Sequence, residues 1–150
     1  MKIEQEIQQT VFESEYQKVN INLLFTASWL NQKSAKVLKP FHISWQQFNI
    51  LRILRGMGDK PATIKTLTER MIDKMSNASR LVEKLKQKGF VERRSCPSDR
   101  RQVDIMITKE GLLILEKASH AMKEELNNIS DNFSEKEAKD LNELLDRMRS

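Results

Sequence analysis

The chain has 150 residues, 39% of them apolar and 31% charged, which is enough for one buried core and too apolar for a disordered segment. A single cysteine excludes an internal disulfide and a zinc knuckle, and no apolar run approaches the roughly 18 residues of a membrane span. The net charge of +5 is unevenly spread: residues 60–109 carry +7, residues 1–59 carry +2 and residues 110–150 carry −4, so the middle third is expected to meet a polyanion.

Few Gly and Pro among many Leu, Glu, Lys and Gln predict a mainly α protein, expected to form a single domain over residues 1–150. Helical spacing of Ile7, Val11, Val19, Leu23, Ala27 and Leu30 predicts one long helix over about 5–37, ended by Pro40. Its apolar face is longer than a small core needs, so part of it is expected to pack on a second chain.

A capping box at Ser44-Trp45-Gln46-Gln47 opens the next helix, with Trp45, Phe48, Leu51 and Leu54 inward and Gly56 and Gly58 at its end. Thr63 is the expected N-cap of a short helix carrying Ile64, Leu67 and Met71 and ending near Ile72. Another helix follows within two or three residues, with Met75, Ala78, Leu81, Val82 and Leu85 inward and Gly89 just beyond its C-terminus. Two helices so tightly joined predict a helix-turn-helix.

Phe90 and Val91 begin a strand, the turn Ser95-Cys96-Pro97-Ser98 reverses the chain, and Val103, Ile105 and Ile107 alternate with polar or exposed positions on the return. This is a two-stranded antiparallel wing with Asp99, Arg100 and Arg101 near its tip. Thr108 caps a helix of about twenty residues bearing Leu112, Leu115, Ala118, Met122, Leu126 and Ile129. A second capping box, Ser134-Glu135-Lys136-Glu137, opens a last helix with Ala138, Leu141, Leu144, Leu145 and Met148.

The expected architecture is therefore a winged helix-turn-helix over about 44–108, with helical dimerisation segments over about 5–38 and 109–149. On the second helix of the motif, Asn77, Arg80 and Lys84 share the outward face. Asn77 and Arg80 suit adenine and guanine edges, Lys84 suits a phosphate, and Ser76 and Ser79 are short enough to let the helix approach. In the wing, Asp99 is close enough to Arg101 to aim its guanidinium, and a guanidinium so held suits a narrow minor groove. Of Arg93 and Arg94, which alternate sides, one is expected to reach a phosphate; Arg94 and Arg100 join the candidate set. Each feature alone is equally an ordinary solvated face; it is their adjacency that favours double-stranded DNA.

Leu67–Gly111 resembles the multiple-antibiotic-resistance regulator (MarR) family of winged-helix transcription factors. The resemblance rests on Ser79-Arg80-Leu81-Val82, Gly89-Phe90-Val91-Glu92-Arg93, Asp99-Arg100-Arg101, Ile107-Thr108 and Gly111. It implies a homodimer whose first helix and last two helices intertwine and whose two wings bind half-sites of a pseudo-palindrome. It further implies that Arg101 enters the minor groove while Asp99 orients it. Two departures stand out: Met71-Ile72-Asp73 replaces the usual Leu-Gly-Leu, and Ser76-Asn77-Ala78 replaces a Ser-Thr-Val run.

The resemblance also implies a response to a small aromatic ligand, for which Trp29, His42, Trp45 and Phe48 are the candidate pocket, although aromatics at this spacing are more often core. Cys96 falls in the wing, away from the first helix where the family's peroxide sensors keep their thiol, and is read as incidental. His42 and His120 lack ligand spacing, so no metal is expected, nor any cofactor. The expectation is a cytoplasmic, non-enzymatic regulator, in most such cases a repressor, since no nucleophile with a partner base and no phosphate loop is present. The rival reading is a winged helix that binds protein without reading DNA.

Overall fold

The structure is a computed structural model and describes residues 1–150. Two short-range devices divide the expected first helix into α1 (Ile3–Glu6) and α2 (Glu15–Leu38). Gln8 takes a left-handed φ of 53°, and Ser14 restarts the helix by accepting the Gln17 N–H at 3.1 Å while the Gln17 side chain accepts the Glu13 N–H at 2.9 Å. The single helix over 5–37 is thus corrected: reciprocal capping satisfies donors that a continuous helix would have bonded internally. Val11 falls in the break and is exposed.

By its contacts the chain forms two compact units, Met1–Lys36 and Val37–Ser150. In the first, α1 is held to α2 through buried Ile3 and an ion pair of 2.5 Å between Lys18 and Glu4.

The second unit contains the remaining elements. A 3₁₀ turn at Lys39–Phe41 follows α2, and His42 leaves it in the left-handed region with its carbonyl held by the Lys88 ammonium. Next come α3 (Trp45–Gly56), α4 (Ile64–Arg70), α5 (Ala78–Gln87), β1 (Val91–Cys96), β2 (Asp99–Ile107), α6 (Lys109–Ser130) and α7 (Glu135–Met148). Caps at Ser44, Thr63, Thr108 and Ser134 stand where the sequence places them, each side-chain oxygen accepting an N–H from the first turn of its helix.

Leu38, Ile50, Leu51, Leu67, Met71, Val82, Leu85, Ile105 and Leu115 are fully buried in one cluster. It joins α3, α4, α5, the ribbon and the first half of α6 around the helix-turn-helix. α5 ends with Gly89 at φ 77°, which lets the Phe90 N–H return to the Leu85 carbonyl at 3.0 Å. That return spends the Phe90 donor, so the strand starts at Val91 rather than at Phe90.

β1 and β2 are antiparallel, from Val91 opposite Ile107 to Ser95 opposite Val103, with an irregularity before Cys96 pairs with Asp99. Cys96 is therefore strand, and the reversal is made by Pro97 and Ser98. Ala62 adds a bridge to the outer side of β2, exchanging hydrogen bonds of 3.1 and 2.7 Å with Ile105. It thereby ties the loop before α4 to the wing.

Two close contacts set the angle between wing and α6. The Thr108 hydroxyl donates to the Gly89 carbonyl at 2.6 Å and accepts from the Gly111 N–H at 3.0 Å. Gly111 itself lies so near the Phe90 carbonyl oxygen that any β-carbon would collide with it. Beyond this joint the apolar stripes are left open: Leu126 on α6 and Leu141, Leu144 and Met148 on α7 are exposed, as are Val19, Leu24 and Leu30 on α2.

Candidate nucleic-acid interface

The turn between α4 and α5 contains no glycine. Its first amide, that of Ile72, donates at 2.9 Å to the side-chain oxygen of Asn49, a residue of α3 with 7% of its surface exposed. The second anchor is Asp73, whose carboxylate accepts the Met75 N–H at 3.1 Å and the Gln46 amide at 3.4 Å. The nearby Ser76 hydroxyl, then the Met75 N–H and the Gln46 amide, hold the Asp73 carboxyl below its ordinary pKa. The Ser76 oxygen approaches that carboxylate without full hydrogen-bonding geometry and has no other partner.

These anchors delay the start of α5. The helix begins at Ala78, and Met75, expected inward, is 94% exposed. The correction has a local cause: Asp73 captures the Met75 amide in a turn, which takes Met75 off the helical period that would have buried it. Asn77 becomes the N-cap, its side-chain oxygen accepting the Arg80 N–H at 3.0 Å. That oxygen is consequently engaged, and the Asn77 amide presents its NH₂ outward as a donor.

Ser76, Asn77, Arg80 and Lys84 line an open groove of about 400 Å³ together with Gln46, Asp73 and Leu81. Ser79 lies exposed beside them. Arg80 and Lys84 are exposed and make no ion pair within the chain. The positive N-terminal end of the α5 dipole adds to their field.

On the wing, Arg100 and Arg101 are exposed and also unpaired. The Asp99 carboxylate accepts the backbone N–H of Arg101 at 2.9 Å. It thus shapes the turn, whereas the sequence suggested a direct bond to the guanidinium. Arg93 pairs with Glu83 of α5 at 2.9 Å, bracing β1 against the helix, and Arg94 pairs with its strand neighbour Glu92 at 2.5 Å. Cys96 sits 3.1 Å from the Ser98 hydroxyl, and that hydroxyl, with the Ser98 and Asp99 amides, lowers the thiol pKa.

The aromatic candidates have separate settings. Trp45 and Phe48 meet with ring centroids 5.9 Å apart and planes tilted by 32°, Phe48 within the core and Trp45 packed against it, while His42 is exposed. Trp29 belongs to the first unit, where the Lys33 ammonium lies 5.0 Å from its ring centroid. By sequence alone Gln46, Asn49 and Asp73 have no place in the interface, and Arg93, with Arg94, is offered a phosphate; all four instead position the interface. Their roles depend on partners 10 to 27 positions away, which no local pattern displays.

Comparison with known proteins agrees with this geometry. The MarR family model matches residues 43–103. The transcriptional regulator PecS of Dickeya dadantii is 32% identical over 115 residues, spanning 75% of this chain and 69% of PecS. Among solved structures, a MarR-like transcription regulator from Bacillus cereus superposes with a TM-score of 0.80 at 21% identity, covering 90% of this chain and 96% of its own. The organohalide-sensing regulator RdhR superposes with a TM-score of 0.83 at 17% identity, covering 94% of this chain and 85% of its own. These are transcriptional regulators rather than enzymes, and no helix here is long and apolar enough to cross a membrane. The chain belongs to the MarR family and is a DNA-binding transcriptional regulator carried on a winged helix-turn-helix.

Proposed function

We propose that the protein acts as a homodimeric repressor on a pseudo-palindromic operator, with α5 in the major groove and the wing arginines on the flanking minor groove. The observation that carries this reading is the distribution of unpaired cations. Arg80 and Lys84 on α5, and Arg100 and Arg101 on the wing, are exposed without an internal counter-charge, whereas Arg93 and Arg94 are paired. A phosphate backbone supplies the missing counter-charge. The apolar side chains left open on α2, α6 and α7 support pairing with a second copy. Repression is the sign expected of a dimer that occupies promoter DNA and excludes polymerase.

Release by a small aromatic ligand belongs to the same proposal. It is supported by the 2,4-dichlorophenol bound to RdhR and by a cavity of about 400 Å³ within the first unit, lined in part by Phe25, Trp29 and Asn22. The test is selection of bound fragments from random DNA. A two-fold symmetric consensus, bound by two chains with affinity that falls steeply with salt, is expected. A reporter behind that consensus should be silenced by the protein and restored by chlorophenols. Failure to enrich any DNA would leave the protein-binding winged helix as the reading.

A further inference from the structure

Met75 is the most exposed apolar side chain apart from the N-terminal methionine, at 94%, and it stands at the mouth of the recognition helix. The backbone that carries it is held by hydrogen bonds. The Met75 amide is held by the Asp73 carboxylate at 3.1 Å, the Ser76 amide by the Asp73 carbonyl at 3.2 Å, and the turn is moored to α3 through Asn49 and Gln46. The neighbours Asp73 and Ser76 line the groove that also contains Asn77, Arg80 and Lys84.

A flexible thioether side chain fully in water contributes nothing to folding, yet this one occupies the place from which helix-turn-helix proteins meet base edges. In the major groove the one apolar group is the C5-methyl of thymine. The polar alternative at this end of the helix is restricted, because the Asn77 side-chain oxygen already accepts the Arg80 amide, which fixes the orientation of the side chain and leaves one lone pair for a base edge while it caps α5.

We propose that Met75 is a specificity-determining residue that packs against the methyl group of one thymine in each half-site. The assignment rests on the major-groove placement of α5 proposed above. Covering one methyl group corresponds to about a fourfold gain in affinity, from the ~0.8 kcal/mol of a buried methylene-sized group. Cytosine, which lacks the methyl, is discriminated against at that position, as is deoxyuridine.

The experiment replaces each thymine of the selected operator in turn by deoxyuridine, which removes the methyl and leaves the pairing edge intact. Binding is measured for the wild-type chain, Met75→Ala and Met75→Leu. One thymine per half-site is expected to cost the wild-type chain about fourfold when demethylated, to cost Met75→Ala nothing, and to cost Met75→Leu a similar factor to wild type. Because Met75 is exposed, both variants should retain the wild-type melting temperature. Equal methyl sensitivity in wild type and Met75→Ala, or none in wild type, overturns the assignment while leaving DNA binding in place. Absence of any complex with DNA would overturn the assignment together with the reading beneath it.

Discussion

The carboxylate of Asp99 accepts the backbone amide of Arg101 at 2.9 Å, so the acidic residue acts on the wing through the main chain. An amide side chain can make the same bond. Asp99→Asn should therefore keep the wing and nearly all DNA affinity, while Asp99→Ala frees the tip and weakens binding several-fold. Arg101→Ala should lower affinity by about tenfold or more and reduce the slope of log K against log salt by about 1. Fluorescence anisotropy titrations at several salt concentrations separate these outcomes. An Asp99→Asn loss as large as that of Asp99→Ala would mean that the charge itself aims the guanidinium.

Asn77 combines a cap with a place in the interface, and the two roles can be parted. Asp and Ser also cap well, so Asn77→Asp and Asn77→Ser should keep stability, whereas Asn77→Ala should cost about 1 kcal/mol in chemical denaturation. Asn77→Asp should nevertheless bind DNA far more weakly, because it sets a negative charge against phosphate. Stability and affinity measured on the same three variants would show the divergence.

At the joint between wing and α6, Gly111→Ala should be damaging although it adds only one methyl group. Its β-carbon meets the Phe90 backbone oxygen and the Ile107 side chain, and a backbone carbonyl cannot swing aside as a long side chain does. A loss of about 1–3 kcal/mol, towards the upper end, is expected in urea denaturation. Thr108→Ala, which removes the cap and the bond to the Gly89 carbonyl, should cost about 1 kcal/mol or slightly more.

Glu137 gives a pH signature. Hydrogen bonds from the Ser134 amide, at 2.7 Å, and from the Ser134 hydroxyl lower its pKa from the ordinary 4.5. A carboxylate whose folded pKa is depressed contributes stability that is complete above the unfolded value and disappears as pH falls through the folded one. Denaturation midpoints should thus fall below about pH 4.5 partly through this group. Glu137→Gln retains the capping box without the charge, so its midpoint should vary less with pH across that range.

The exposed stripe of α7 offers a test of the proposed dimer. Leu144→Glu, at a position 57% exposed in the single chain, should leave the fold intact and convert the protein to a monomer by sedimentation. Operator affinity should fall with it, since one half-site then has to be bound without its neighbour. An unchanged dimer would remove α7 from the proposed interface.

What was legible in advance was governed by neighbours along the chain. The caps at Ser44, Thr63, Thr108 and Ser134 and the helix exit at Gly89 bond within a few residues, and the alternation around Ile105 is a pattern of neighbouring positions, so composition and spacing display them. The break before Glu15 was equally local, a Ser-x-x-Gln pattern at Ser14, but helical periodicity running across it concealed the interruption. The arginines of the wing and of α5 were legible as charges.

Their partners were not. Whether Arg93 or Arg94 stays available depends on Glu83 standing across from one and Glu92 beside the other. Whether Met75 faces the core or the solvent depends on Asp73, Gln46 and Asn49 holding the turn. Ala62 joins the wing because Ile105 is placed opposite it. The order of amino acids dictates where helices begin and end, because those choices are made by backbone donors seeking the nearest acceptor. Which side chains of the interface remain free for DNA is settled by packing, because a charge or an amide is available only when no residue distant in sequence has already been brought within reach of it.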